Sequence, residues 1–149
     1  MPPAIAASWR RLRAHAHVAA ALRDAQKTGN YLSEVAKPYR VLKDAGFSIV
    51  FASPNGGRIS LDPSSVEQEK GDGMCRDFLD DRDAARMMED TQRLDDILRD
   101  LDSIDAVFYP GGHGCMFDVG QDQRAGALAA GVFERGGVVG AVCHGVVGL

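Results

Sequence analysis

Two short apolar runs limit the fold more than any other feature of the chain. Ala106-Val107-Phe108-Tyr109 and Val138-Val139-Gly140-Ala141-Val142 show no alternation of apolar and polar residues. Neither run therefore offers a solvent-facing side, as expected for parallel strands covered on both faces. Each leads into a tight turn: Pro110-Gly111-Gly112-His113-Gly114 after the first, Cys143-His144-Gly145 after the second. Between them, Arg124 to Arg135 reads as a helix stopped by Gly136-Gly137. The predicted class is α/β: a parallel sheet with helices on both faces, its ligand edge at the carboxyl ends of the strands.

The remaining elements fit that plan. Tyr31 to Ala45 reads as a helix ending at Gly46, with Leu32, Val35, Ala36, Tyr39 and Leu42 as its apolar face. Phe47 to Ala52 is predicted as a strand, and Ser53-Pro54-Asn55-Gly56-Gly57 as a turn. Leu61 to Ser65 reads as continuing loop, and Val66 to Asp77 as a polar stretch with little periodicity. Phe78 to Met88 and Thr91 to Arg99 read as two short helices. There are no internal repeats and no low-complexity tract.

With 149 residues the chain is long enough for one domain with a core. It contains no apolar run near the ~20 residues of a membrane span, and its net charge of -4 argues against nucleic-acid binding. Cys75, Cys115 and Cys143 form neither a Cys-x-x-Cys pair nor an even set. This disfavours a disulfide scaffold or a zinc site and favours reduced thiols in the cytoplasm. The first residues differ in character. Arg10, Arg11, Arg13, Arg23 and Lys27 stand against Asp24 alone in residues 1–30, and Ile5, Trp9, Leu12, Ala16 and Ala19 recur at helical spacing. Residues 1–27 thus read as an Arg/Ala-rich helical extension. It is either an organelle-targeting segment, an ordinary surface helix or the product of a displaced gene start.

The run into Cys143-His144-Gly145 reads as a strand-to-turn elbow that lifts the thiol to the tip of a turn. A thiolate attacks carbonyl carbon, whereas a free thiol with a pKa of ~8.5 is mostly protonated at neutral pH. A helix start behind the turn or a neighbouring imidazolium favours the thiolate. His144 is the candidate acid/base partner. The backbone N–H groups of His144 and of the Gly111–Gly114 turn are candidate oxyanion donors. The plain alternative makes Cys143 a small apolar residue closing a core strand. Glu34 reads either as a solvated surface carboxylate or as a functional group beside Pro38, which removes the helical partner of the Glu34 carbonyl. His113 reads as a loop residue, Cys75 as a bystander and Cys115 as a second thiol near the turn. His15 and His17 read as helix-surface residues.

These segments together resemble the ThiJ/PfpI superfamily, and within it the branch of glutathione-independent glyoxalases (glyoxalase III) that overlaps with heat-shock chaperones and proposed protein deglycases. The resemblance rests on Glu34 within Tyr31–Tyr39, Phe51-Ala52-Ser53-Pro54-Asn55-Gly56-Gly57, Leu61–Ser65, Phe108–Gly114 and Ala141-Val142-Cys143-His144-Gly145. It covers about residues 28–149. It implies a flavodoxin-like fold and a reaction without cofactor or metal. Methylglyoxal, a 2-oxoaldehyde, would form a hemithioacetal with Cys143, pass to a thioester and leave as lactate. The resemblance makes Cys143 the nucleophile, His144 the general acid/base and Glu34 a hydrogen-bonding partner of the thiolate. Gly111, Gly112, His113 and Gly114 become contacts of the substrate oxygen. It implies a small-molecule partner, no nucleic acid or membrane, and a homodimer or self-association. The family's opening strand has no clear counterpart in Ile5 to Ala25, and its pattern continues beyond the elbow to an acid that orients the histidine. A partial sheet, marginal stability and a catalytically inactive or chaperone-like chain are therefore the alternative expectation. A cysteine peptidase or glutamine amidotransferase of the same fold is a further one. Ala141 disfavours the amidotransferase, whose elbow places glycine two residues before the nucleophile.

Overall fold

A computed structural model describes residues 28–149. The extension over residues 1–27, with its expected helix and targeting reading, lies outside the described residues. The first helix among the described residues, α1 (Leu32–Asp44), buries Leu32, Val35, Ala36 and Tyr39. Tyr31 caps it without a side-chain bond, and the buried Ser65 hydroxyl accepts from the Leu32 N–H instead, at 2.9 Å. The helix runs unbroken through Pro38 and ends where Gly46 turns left-handed, φ 82°.

The next stretch departs from the sequence reading. The strand expected over Phe47–Ala52 carries a bridge at Ile49 and ends in β1 (Ala52–Ser53), which pairs in parallel with β2 (Gln92–Arg93). The partner is short because helix α5 (Leu94–Arg99) starts immediately after it. The helix expected over Thr91–Arg99 therefore loses its first three residues to Thr91's bridge with Gly57 and to β2.

The loop expected at Leu61–Ser65 and the patternless stretch after it are helices: α2 (Pro63–Glu69), α3 (Gly73–Asp80) and α4 (Arg82–Glu89). Aspartates start all three. Asp62 accepts from Ser64 N at 2.8 Å with Pro63 at the first helical position, Asp72 accepts from Cys75 N at 3.1 Å, and Asp81 accepts from Asp83 N at 2.8 Å. The single helix expected over Phe78–Met88 is therefore split at Asp81. These helices are too short for periodicity to register, so their caps carry the sequence signal.

The second half matches expectation closely. Strand β3 (Ala106–Tyr109) is followed by helix α6 (Gln123–Glu134) and strand β4 (Val138–Ala141). β3 and β4 pair in parallel, with Ala106 opposite Val138 and Tyr109 opposite Ala141. Asp122 caps α6 by accepting from Arg124 N at 2.9 Å, and Gly136 (φ 82°) closes it. Val107 and Tyr109 point into a core with Leu94, Ile97, Val119, Ala125, Leu128 and Val132. Ala106 and Phe108, on the other side of β3, are half-buried, so the two faces are covered unequally. A second core joins α1 to the short helices through Val35, Tyr39, Phe51, Cys75 and Phe78, with Tyr39 edge-on to both phenylalanines. Among the described residues no helix is long and apolar enough to cross a membrane.

Leu128 is completely buried between α6 and the β3–β4 pair. Leu128→Ala is expected to destabilise the chain by about 3 kcal/mol, read as a fall in the urea midpoint with an unchanged slope.

Candidate active site

Because β3 and β4 run in parallel and in register, the turns that leave them emerge at one edge. The β4 turn is strained at its first residue. Val142 is extended (φ -138°), and Cys143 follows at φ 53°, the one non-glycine with positive φ among the described residues. An L-residue held there costs ~1–2 kcal/mol. The turn then winds as a short 3-10 helix over Cys143–Gly148. Cys143 is exposed, so it is not the small residue closing a core strand that the plain reading allowed. Its Sγ lies 3.4 Å from Nδ1 of the half-buried His144.

Two glycines fix this turn against the end of β3. A Cβ on Gly145 would collide with the Tyr109 carbonyl oxygen and stand 2.8 Å from that of Pro110. One on Gly148 would stand 2.6 Å from the Tyr109 ring. Tyr109 is itself anchored, its hydroxyl donating to the Ala125 carbonyl at 2.7 Å.

Gly111 is where the expected residues converge. A Cβ there would lie 2.5 Å from Glu34 Oε2, 2.8 Å from Cys143 Cβ and 2.8 Å from His144 N. Glu34, in the first turn of α1, accepts from the Gly111 N–H at 2.9 Å. Glu34 is thus bonded to the glycine turn; the bond to the thiolate that the family resemblance implies is a separate expectation. Gly112 has φ 106°, and any side chain on it would strike the Gly29 carbonyl and Tyr31 N. Residues 29–31 clamp the turn from outside: Tyr31 N donates to Gly111 O at 3.0 Å, and Gly114 N donates to Gly29 O at 3.4 Å. This clamp has no sequence signal beyond the Gly29-Asn30 pair.

The expected set of oxyanion donors is accordingly narrower. Gly111 N–H is held by Glu34 and Gly114 N–H by Gly29. Among the described residues the N–H groups of Gly112 and His144 carry no such bond. The exposed His113 does not face away into solvent as a simple loop residue would. Its ring lies against that of His144, centroids 4.5 Å apart and planes tilted by 37°.

The three thiols occupy different settings. Cys115 is buried, donates to Pro110 O at 3.2 Å, and is pushed up to about 12 by burial. Burial likewise raises Cys75 to about 11. Both remain protonated thiols at neutral pH, which leaves Cys143 as the accessible sulfur. Cys75 also lies within ligand reach of Glu69 and Asp72. Asp72, however, is already paired with Lys37 at 3.0 Å, and Glu69 accepts from the Ser33 hydroxyl at 2.9 Å.

Asp118 was not singled out in the sequence. It caps the short turn Val119–Gln121, which packs on the Cys143–Gly148 turn, and burial raises its carboxyl to about 6.

A parallel α/β protein that holds an exposed cysteine at a strained strand end, facing a glycine turn clamped by a glutamate, is a narrow structural class. Residues 27–149 match the DJ-1/PfpI family, and the chain belongs to that family. It is 36% identical over 126 residues to the glutathione-independent glyoxalase hsp3102 of Schizosaccharomyces pombe, covering 83% of this chain and 51% of that protein. With Glyoxalase 3 of Candida albicans it shares 30% identity over 124 residues, 82% of this chain and 51% of the relative. The chain thus spans about half the length of the curated relatives it matches. Among solved structures, the 24 kDa Rapid Encystment Protein of Francisella tularensis superposes with a TM-score of 0.79 at 31% identity, over 91% of this chain and 61% of that one. Glyoxalase III from Candida albicans does so with a TM-score of 0.75 at 26% identity, over 91% and 59%.

Because the folded chain holds the Asp118 proton more tightly than the unfolded chain, where the carboxyl titrates near 3.8, its contribution to stability is full below pH 4. It is lost as pH rises through about 6. Asp118→Asn keeps the oxygen that caps Val119 N and removes the charge. It is expected to raise the urea midpoint at pH 7 and leave it nearly unchanged at pH 4; an unchanged or lower midpoint at pH 7 counts against the assignment.

Proposed function

We propose that the chain carries the active site of a glutathione-independent glyoxalase that converts methylglyoxal and water to lactate. The observation that carries this reading is the convergence of Glu34, Cys143 and the His144 N–H on the side-chain-free face of Gly111, in a chain whose relatives are named glutathione-independent glyoxalases.

In this reading the Cys143 thiolate adds to the aldehyde carbon, and the proton taken up by His144 returns to the new alkoxide to give a hemithioacetal. The Gly112 and His144 N–H groups face the alkoxide while it is charged. A base then removes the hydrogen from the former aldehyde carbon, and the electron pair moves to form an enediol. A proton delivered to the neighbouring carbon yields a lactoyl thioester. Glu34 and His144 serve these two transfers, since both lie beside the sulfur-bearing turn. Water hydrolyses the thioester and restores the thiol. The aldehyde carbon is oxidised and the ketone carbon reduced, so no external electron carrier enters the balance.

Cys143 must stay reduced for this chemistry, which favours a cytoplasmic setting. Self-association is the further part of the proposal. Phe133, Val138, Val146 and Leu149 are all exposed apolar residues on α6, β4 and the last turn, a distribution that favours contact between copies. Sedimentation of the purified chain decides that point.

The decisive assay follows methylglyoxal loss and lactate formation together. Cys143→Ser is expected to lower kcat by about 10³-fold or more, and Glu34→Gln by about 10²-fold, with both variants folded by circular dichroism. Undiminished turnover in Cys143→Ser, or methylglyoxal loss without lactate, overturns the reading.

A further inference from the structure

We propose that His113 is a positioning residue for His144: its ring packs on the His144 imidazole and holds the Nδ1 edge toward the Cys143 sulfur. The inference rests on the reading of Cys143 and His144 given above. An acid/base histidine needs something to fix its ring, and in nucleophile–histidine pairs that is ordinarily a hydrogen bond to the ring nitrogen facing away from the nucleophile. Here the ring contacts of His144 among the described residues are the Cys143 sulfur, 3.4 Å from Nδ1, and the His113 ring, 4.5 Å between centroids. Two rings at this separation with a 37° tilt have the spacing of an interacting aromatic pair.

The backbone makes this contact specific. His113 follows Gly112, whose φ of 106° only glycine adopts readily, and the clamp from Gly29 and Tyr31 sets the path of the turn. His144 follows Cys143 at φ 53°, and Gly145 is wedged against the β3 carbonyls. Both rings therefore hang from backbones with little freedom, at the ends of two strands in fixed register. What His144 requires of residue 113 is then a flat ring, which phenylalanine supplies without nitrogen or charge. A substrate-binding role for His113, as the family resemblance implies, requires the opposite: the nitrogen, and not the ring.

The test uses the full chain and the variants H113A and H113F, each checked for an unaltered circular dichroism spectrum. Two quantities are read: the rate of iodoacetamide alkylation of Cys143 at pH 7, scored on the Cys143 peptide by mass spectrometry, and kcat and KM for methylglyoxal. H113A is expected to lower both the alkylation rate and kcat by about fivefold, the size of effect an aromatic pair of this kind supports, with KM within twofold. H113F is expected to restore both to within about twofold of the native values. Alkylation unchanged in H113A overturns the proposal. So does H113F behaving no better than H113A, or a raised KM in both variants at unchanged kcat, which makes His113 a substrate contact. If the native chain consumes no methylglyoxal, the glyoxalase reading fails by itself, and alkylation still decides the role of His113.

Discussion

The parallel pairing of β3 with β4 is the constraint on which the site depends. It sets Tyr109 opposite Ala141, so both strands end at the same level and discharge their turns at one edge. A slip of one residue would turn every side chain of β4 to the opposite face. It would also take Cys143 away from Gly111. The core side of the pair is locked by Val107 and Tyr109 against α6, and Tyr109 adds a buried hydrogen bond to Ala125. Packing energy gained well away from the edge thereby holds a strained residue at it, which is how a φ of 53° at Cys143 is sustained.

Glycine is the second element of the design, used for the space it leaves rather than for flexibility. Gly111 lets a carboxylate, a thiol-bearing Cβ and a backbone N–H approach one point, and Gly145 lets the last turn close onto β3. Glu34 completes the arrangement from a helix belonging to the other core. The two cores are therefore joined at the site by a side-chain-to-backbone bond that spans 77 residues of sequence.

Where the sequence was informative, the physics was local and regular. Tyr109, Val138 and the glycines at 136 and 137 announced a strand–helix–strand unit, and Leu32, Val35, Ala36 and Tyr39 announced α1 through their spacing. Asp62-Pro63-Ser64 was equally explicit, as an N-cap followed by proline, but α2 is only 7 residues long and shows no periodicity to draw attention to it. The candidate site residues were visible as types in two turns and on α1. Their mutual geometry was not, because it depends on backbone contacts from residues 29–31, which carry no side-chain signature. The bond from Glu34 to Gly111 and the ring contact of His113 with His144 are long-range facts of that sort.

The cysteines also show how the chain distributes its sulfur by depth. Two thiols are sealed in the two cores, one in each, and the third stands in solvent. Folding is thus written into how many sulfurs a bulky reagent can reach: one while both cores are closed, a second when either opens, and all three only in the unfolded chain. Because Cys75 reports on the α1 side and Cys115 on the β3 side, the identity of the second sulfur to react names the half of the molecule that opened first. The chain carries its own gauge of partial unfolding, graduated in whole thiols.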